Sequence, residues 1–234
     1  MNILRSILFN IFFYPLLIVS SLIIILFYPF VTGTKLQSIA NNLIILILVL
    51  LKHMCRIDWE ISGLDNIPDG PVIFVSNHQG PWESFFLQTL KTPSASIIKK
   101  ELLFIPFFGW ALACLGPIYI NRTNKYTSLK KVIAKGTEKL KNGYSIIMFP
   151  EGTRARPHKG LKKFSSSCGL LSVHNNVPIV PICHNSGLYW KNRKFTKEMG
   201  TVNVLIGKPI YGDSPKDCTA KAFDWINLKF KEIH

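Results

Sequence analysis

The chain opens on two apolar runs that no charge interrupts. Residues 6–34 hold 29 uncharged positions in succession, and residues 36–51 hold 16 more. The first run is long enough to cross a hydrocarbon core of about 30 Å. The second amounts to about 24 Å of helix, which suits the second arm of a hairpin or an interfacial helix. Residues 32–35 join the two, and Pro15 and Pro29 predict a kink or interruption in the first arm. A cleaved signal peptide would have an apolar core of about 7–15 residues and a small-residue cleavage site. This run is longer and no such site follows it, so a membrane hairpin is the expectation.

Near residue 55 the pattern changes to short apolar runs alternating with helical periodicity. Strands are predicted at 57–61, 71–76, 95–98, 117–120, 144–149, 178–183 and 202–206. Helices are predicted at 81–90, 107–115, 126–141 and 215–231, the last capped by Asp213 and Ser214 with Pro215 in its first turn. Strands alternating with helices predict an α/β fold, a central mostly parallel or mixed sheet flanked by helices. The division that follows is a membrane-anchoring helical hairpin over residues 1–55 and an α/β domain over 56–234. The second part, with its own strand–helix alternation, is expected to fold without the first. Pro178 and Pro181 predict an edge position or a strand end for their segment.

Charge sharpens this picture. The net charge is +15, and residues 1–57 contain Arg5, Lys35, Lys52 and Arg56 but no acid. Nucleic acid and anionic membrane are the usual partners of such a surface. The apolar N-terminus selects the membrane, and no nucleic-acid recognition motif accompanies the charge. Basic residues at both outer ends of the hairpin predict that those ends face the cytoplasm. Five widely spaced cysteines without a C-x-x-C fit a reducing compartment. No metal site is predicted, because the histidines lack ligand-spaced companions.

Candidate chemistry follows the apolar runs. In "PVIFVSNHQGPWE" a predicted strand runs into Asn77 and His78, and Glu83 comes five residues after the histidine. On one continuous helix those two side chains would stand about 140° apart. Gly80 as cap and Pro81 at the first helical position resolve this: His78 then sits in a loop and Glu83 in the first helical turn, where they can meet. Three more segments present charge after an apolar run: "KKELLFIPFFGW" leading to "PIYINR", "IIMFPEGTR", and "VPIVPICHNSG". Loops at strand ends are where α/β proteins place ligand sites.

These four segments, in this order, resemble the lysophosphatidic acid acyltransferase (PlsC-like) family of glycerolipid acyltransferases. The family's N-H-x4-D is similar to Asn77-His78 followed by Glu83, a glutamate standing where the family usually has aspartate and reaching about 1.5 Å further. Its second motif resembles Lys99 to Gly109, closing at Arg122. F-P-E-G-T-R is matched in full by Phe149 to Arg154, and V-P-I-V-P by Val177 to Pro181. The resemblance covers roughly residues 55–210. It implies acyl transfer from acyl-CoA or acyl carrier protein to the hydroxyl of lysophosphatidic acid, without a covalent acyl-enzyme and without a cofactor. It further implies a membrane location with the catalytic domain on the cytoplasmic face.

The roles it implies are chemically coherent. His78 would accept the hydroxyl proton and Glu83 would orient and stabilise the ring. N–H groups around Gly152 and Thr153 would meet the oxyanion. Arg154 would hold the acceptor phosphate, with Arg122 and Lys99 as further cations. Glu151 would orient the glycerol part or fix the loop, and "LLFIPFFGW" would line an acyl groove, dip into the interface or pack as core. Two alternatives stay open: an acyltransferase of the same fold acting on glycerol-3-phosphate or another lysolipid, and a non-catalytic lipid-binding protein.

Overall fold

The computed structural model describes residues 1–121 and 123–234. Two long helices come first, α1 (Asn2–Phe27) and α2 (Gly33–Cys55). Helix α1 runs through Pro15 without interruption, and Pro29 falls just beyond its end. Both helices are long and apolar enough to cross a membrane by length and composition. Helix α2 stops at Arg56, whose φ of 54° turns the chain straight into the first strand.

Seven strands follow: β1 (Ile57–Ser62), β2 (Ile73–Ser76), β3 (Ser94–Lys99), β4 (Ile118–Ile120), β5 (Ser145–Met148), β6 (Ile179–His184) and β7 (Gly200–Ile206). They form one sheet in the order β1-β7-β6-β2-β5-β3-β4. Every neighbouring pair is parallel except β6 and β7, so the sheet is mixed. Between the strands lie α3 (Trp82–Phe86), α4 (Phe108–Cys114), α5 (Lys125–Lys141) and α6 (Ser167–Asn175), and α7 (Pro215–Ile233) follows β7.

The strand period of two divides the core into two layers. Ile73, Val75, Ile146, Met148 and Ile179 face α5, α6 and α7, packing with Leu171, Ala222 and Ile226. Phe74, Ile147, Val180 and Ile182 face the other way. There they meet Phe9 and Phe13 of α1, Ile47, Leu48 and Leu51 of α2, and Trp82 of α3. The hairpin is therefore half of one core layer. Its outward face keeps Ile11, Phe12, Ile18, Val19 and Leu22 exposed.

Three features depart from the sequence reading. Pro181 lies inside the sheet, on a strand flanked by β2 and β7. Its carbonyl accepts from the Gly207 N–H. The ladder with β7 starts only at Ile182 opposite Ile206, and Ile179 bridges to Ile210 beyond it. The nitrogen of Pro181 thus meets a gap in the pairing, where no donor is required. Second, the predicted helix 81–90 is one short α-turn, α3, followed by a 3-10 turn at Leu87–Thr89. Third, α6 was absent from the pattern, because its serines and Gly169 are poor helix formers. Its existence comes from Cys168 and Leu171, buried in the layer that α7 completes.

Candidate active site

The ends of β2, β5 and β6 deliver three loops to one place. After Ser76, the chain leaves β2 through Asn77, whose Nδ2 donates to the His184 carbonyl (2.8 Å) while its Oδ1 accepts from the His184 N–H (3.0 Å). This double link joins the β2 loop to the end of β6. Gly80 permits the turn that follows, since a Cβ there would lie 2.3 Å from the Trp190 carbonyl oxygen. Pro81 caps α3, and Glu83 lies in its first turn.

Glu83 is fully buried and saturated with donors. Its Oε1 accepts from His78 Nδ1 (2.9 Å), the Gln79 N–H (2.7 Å) and the Gly80 N–H (2.7 Å). Its Oε2 accepts from Ser186 Oγ (2.8 Å). Burial alone would raise its carboxyl, but the His78 hydrogen bond, the nearby His184 and the Gly80 N–H overcome it and hold the group down at about 2. Nδ1 of His78 thus carries the proton, which leaves Nε2 as an acceptor. The ring is stacked on Phe149, with centroids 4.1 Å apart and planes 16° from parallel. A ring held at its edge and on its face keeps one orientation.

Behind this pair lies a second layer that the sequence did not reveal. Ser186 Oγ lies 3.1 Å from His184 Nδ1, and His184 Nε2 donates to the Asn77 carbonyl (2.9 Å). Burial pushes the His184 ring toward its neutral form, although the Glu83 charge opposes this. Ser186 stands 103 positions from Glu83, so no local spacing could have announced it.

The loop after β5 carries the other expected residues. Glu151 accepts from the His78 N–H through Oε1 (2.8 Å) and from the Lys162 N–H through Oε2 (3.0 Å). Both oxygens accept from backbone donors, which ties the β2 loop to the chain at Lys162. Burial pushes its carboxyl up. Gly152 turns the chain with a φ of 69°, and its N–H is taken by the Phe149 carbonyl (3.0 Å). Of the two N–H groups expected at an oxyanion, that of Gly152 is therefore already taken.

His78, Thr153, Arg154 and Lys99 all line one cavity of about 770 Å³. Arg154 donates from one terminal nitrogen to Asn192 Oδ1 (3.1 Å), and its Nε is buried without a partner among the described residues. Burial weakens the hold on its proton; the Glu83 charge opposes this and the nearby Arg193 adds to it. Lys99 pairs with Glu101 (3.2 Å) at the rim. Arg122 lies outside the described residues. Lys191, Arg193, Lys194 and Lys197 also reach the cavity, from the segment after β6. Of the described residues lining it, six are lysine or arginine and none is aspartate or glutamate. The far end is apolar, walled by Leu17, Ile24 and Ile44 of the hairpin and by Ala111 and Leu112 of α4. The "LLFIPFFGW" stretch divides its labour: Leu102 and Phe108 line the cavity, whereas Phe104, Ile105 and Trp110 are exposed.

Such a site can take a proton from a hydroxyl, hold anionic groups at one end and sheathe an alkyl chain at the other. Its volume falls within the ~300–1,000 Å³ range of ligand pockets. The comparisons with known proteins agree with that chemistry. A 1-acyl-sn-glycerol-3-phosphate acyltransferase of Pseudomonas aeruginosa is 39% identical over 189 residues, covering 79% of this chain and 73% of that protein. Proteins of the same name from Saccharomyces cerevisiae and Escherichia coli are 29% and 33% identical, and the chain spans 54% and 52% of their lengths. The crystal structure of the 1-acyl-sn-glycerophosphate acyltransferase PlsC from Thermotoga maritima superposes with a TM-score of 0.81 at 23% identity, over 99% of this chain and 97% of that one. That likeness shows the shared fold. Residues 58–185 match the family described as Acyltransferase. This chain belongs to the acyltransferase family.

Proposed function

We propose that the protein is a 1-acyl-sn-glycerol-3-phosphate acyltransferase, moving an acyl chain from a thioester to the free hydroxyl of lysophosphatidic acid to give phosphatidic acid. The observation that carries the reading is the His78 ring, fixed by Glu83 and Phe149 at a cavity cationic at one end and apolar at the other. His78 Nε2 takes the hydroxyl proton as the oxygen attacks the thioester carbonyl, and Glu83 stabilises the imidazolium that forms. The Thr153 N–H meets the developing oxyanion. Collapse of the tetrahedral intermediate expels the thiolate, which recovers the proton from the imidazolium. Arg154 grips the acceptor phosphate as a planar fork, with Lys99 at the rim. The acyl chain lies among the hairpin and α4 residues.

Residues 1–55 anchor the protein, their outward apolar face meeting lipid, and the catalytic part works on the cytoplasmic face. Acyl-CoA and acyl carrier protein are both anionic donors that a basic entrance suits. The test is transfer of a labelled acyl chain, with each donor in turn, to lysophosphatidic acid, glycerol-3-phosphate and other lysophospholipids. Phosphatidic acid should be the main product. Preference for a different acceptor moves the chain to another branch, and no transfer with any pair removes the enzymatic reading.

A further inference from the structure

Helix α1 carries a row of polar side chains that an anchor does not need. Asn2, Ser6 and Asn10 are spaced four apart and so share one face of the helix. That face is docked on residues 195–199. Asn2 Nδ2 donates to Glu198 Oε2 (2.6 Å), and the Lys197 N–H donates to Ser6 Oγ (2.9 Å). Lys197 Nζ donates to Asn10 Oδ1 and to the Phe195 carbonyl, both at 2.9 Å. The ammonium lies 5.1–5.6 Å from the ring centres of Phe9, Phe195 and Trp190.

The accounting of protons and charge at this point does not close within the protein. Lys197 is 4% exposed and Asn10 9%, and both line the cavity that holds His78. Among the described residues no carboxylate forms an ion pair with Lys197. An ammonium has three protons, and two are used. Asn10 Nδ2 is buried with no partner among the described residues. A buried cation without a counter-ion is costly, and a buried unmatched amide donor adds to that cost. Burial accordingly weakens the hold of Lys197 on its proton. What is left over, among the described residues, is an Asn10 N–H donor without an acceptor and a positive charge met by aromatic faces but by no anion.

We propose that Lys197 and Asn10 form a subsite for the anionic phosphate oxygens of the lysophospholipid acceptor. The inference rests on the acyl-transfer reading above and deepens it. A phosphate monoester carries close to two negative charges at neutral pH, so it takes cations beyond the guanidinium of Arg154. Lys197 supplies one in the same cavity and, unlike Lys99 at the rim, away from water. The acceptor rather than the donor is assigned because Asn10 belongs to α1, the helix whose other face is exposed and apolar. A lipid travels along that helix, whereas a thioester carrier arrives from water.

The test uses the full chain in phosphatidylcholine vesicles, reading the KM for lysophosphatidic acid, the KM for the acyl donor and the melting temperature. Lys197→Met keeps the stem and removes the charge, and should raise the KM for lysophosphatidic acid roughly tenfold or more with the donor KM unchanged. Lys197→Arg should recover part of the loss. Asn10→Asp is decisive even if Lys197→Met fails to fold. It sets a carboxylate against the ammonium, so the helix dock is kept while the subsite is neutralised. A maintained melting temperature with a raised KM for lysophosphatidic acid supports the subsite. An unchanged KM for lysophosphatidic acid in Asn10→Asp reduces the pair to a dock and overturns it. A rise confined to the donor KM also overturns it, in favour of the donor's phosphates. If the unaltered protein transfers nothing to lysophosphatidic acid, it is the proposed function that falls, a different result from either.

Discussion

At the residue scale, the histidine and its carboxylate divide one task. His78→Ala removes the proposed base and should lower kcat by about 10²–10⁴ while binding of lysophosphatidic acid survives, as equilibrium binding to the variant will show. Glu83→Asp keeps charge and loses reach, so partial activity is expected; Glu83→Gln should be badly impaired. The glutamine also places an N–H₂ among groups that already donate to both carboxylate oxygens. Because the Glu83 carboxyl is held at about 2 against an ordinary 4.5, its charge stabilises the fold fully above about 4.5 and ceases to do so as pH falls towards about 2. The melting-temperature gap between the unaltered protein and Glu83→Gln should therefore be widest near neutrality and close through that window. Arg154→Lys keeps charge but not the fork, and should raise the KM for lysophosphatidic acid; Arg154→Ala should raise it further. Equal losses on an acceptor without phosphate would give Arg154 a purely structural part through Asn192. Much of this site was readable from the chain because His78 and Glu83 are local partners, separated by one turn that glycine and proline announce. Ser186, Asn192 and Lys197 were not, because each meets the site only after β6 has been threaded between β2 and β7.

At the element scale, burial overrode propensity. The strands were legible because their apolar runs are continuous, as expected for strands covered on both faces. Helix α6 was not, since its sequence favours caps and turns and only its neighbours make it a helix. Two glycines on this side of the sheet make the dependence measurable. A Cβ at Gly169 would lie 2.0 Å from the Pro215 carbonyl oxygen, which belongs to the backbone of α7. A Cβ at Gly136 of α5 would meet Leu171 Cδ1 at 2.8 Å, the end of a side chain that can rotate. Gly169→Ala should cost about 1–3 kcal/mol by pushing two helices apart. Gly136→Ala should cost distinctly less, and the gain in helix propensity works in its favour. Parallel thermal melts of the two variants will check the order; a smaller loss for Gly169→Ala would mean that α6 is free to shift.

At the scale of the whole molecule, the boundary near residue 55 marks a change of composition but not a break in packing. Phe9, Phe13, Ile47, Leu48 and Leu51 share a core with Phe74, Trp82 and Val202. The sequence suggested that residues 56–234 would stand alone, since strand–helix alternation carries no information about what covers the sheet. With the hairpin removed, the apolar layer that includes Phe74 and Trp82 would face solvent, a patch of the kind that drives aggregation. The segment 56–234 should therefore be recovered as aggregate without detergent, by size-exclusion chromatography, whereas the full chain in detergent elutes as a defined species. A monodisperse, folded 56–234 segment would show that the hairpin only covers the sheet and does not complete it.

The antiparallel placement of β7 has one more implication. A parallel neighbour for β6 would have required a crossover of a dozen or more residues returning along a face of the sheet. Here the chain leaves β6 and enters β7 at the same rim, so the intervening stretch from Asn185 to Met199 is a bridge with both feet on the mouth of the cavity. Its length can change without shifting the register of a single strand. The bridge carries Arg193 and Lys194 to the cavity between fixed points, since Ser186 is bonded to Glu83, Trp190 lies in the core and Lys197 is docked on α1. Exchanging only the stretch around Arg193 and Lys194 is therefore the modular way to alter which headgroups are admitted, with Ser186, Glu83 and the histidine beneath left as they stand.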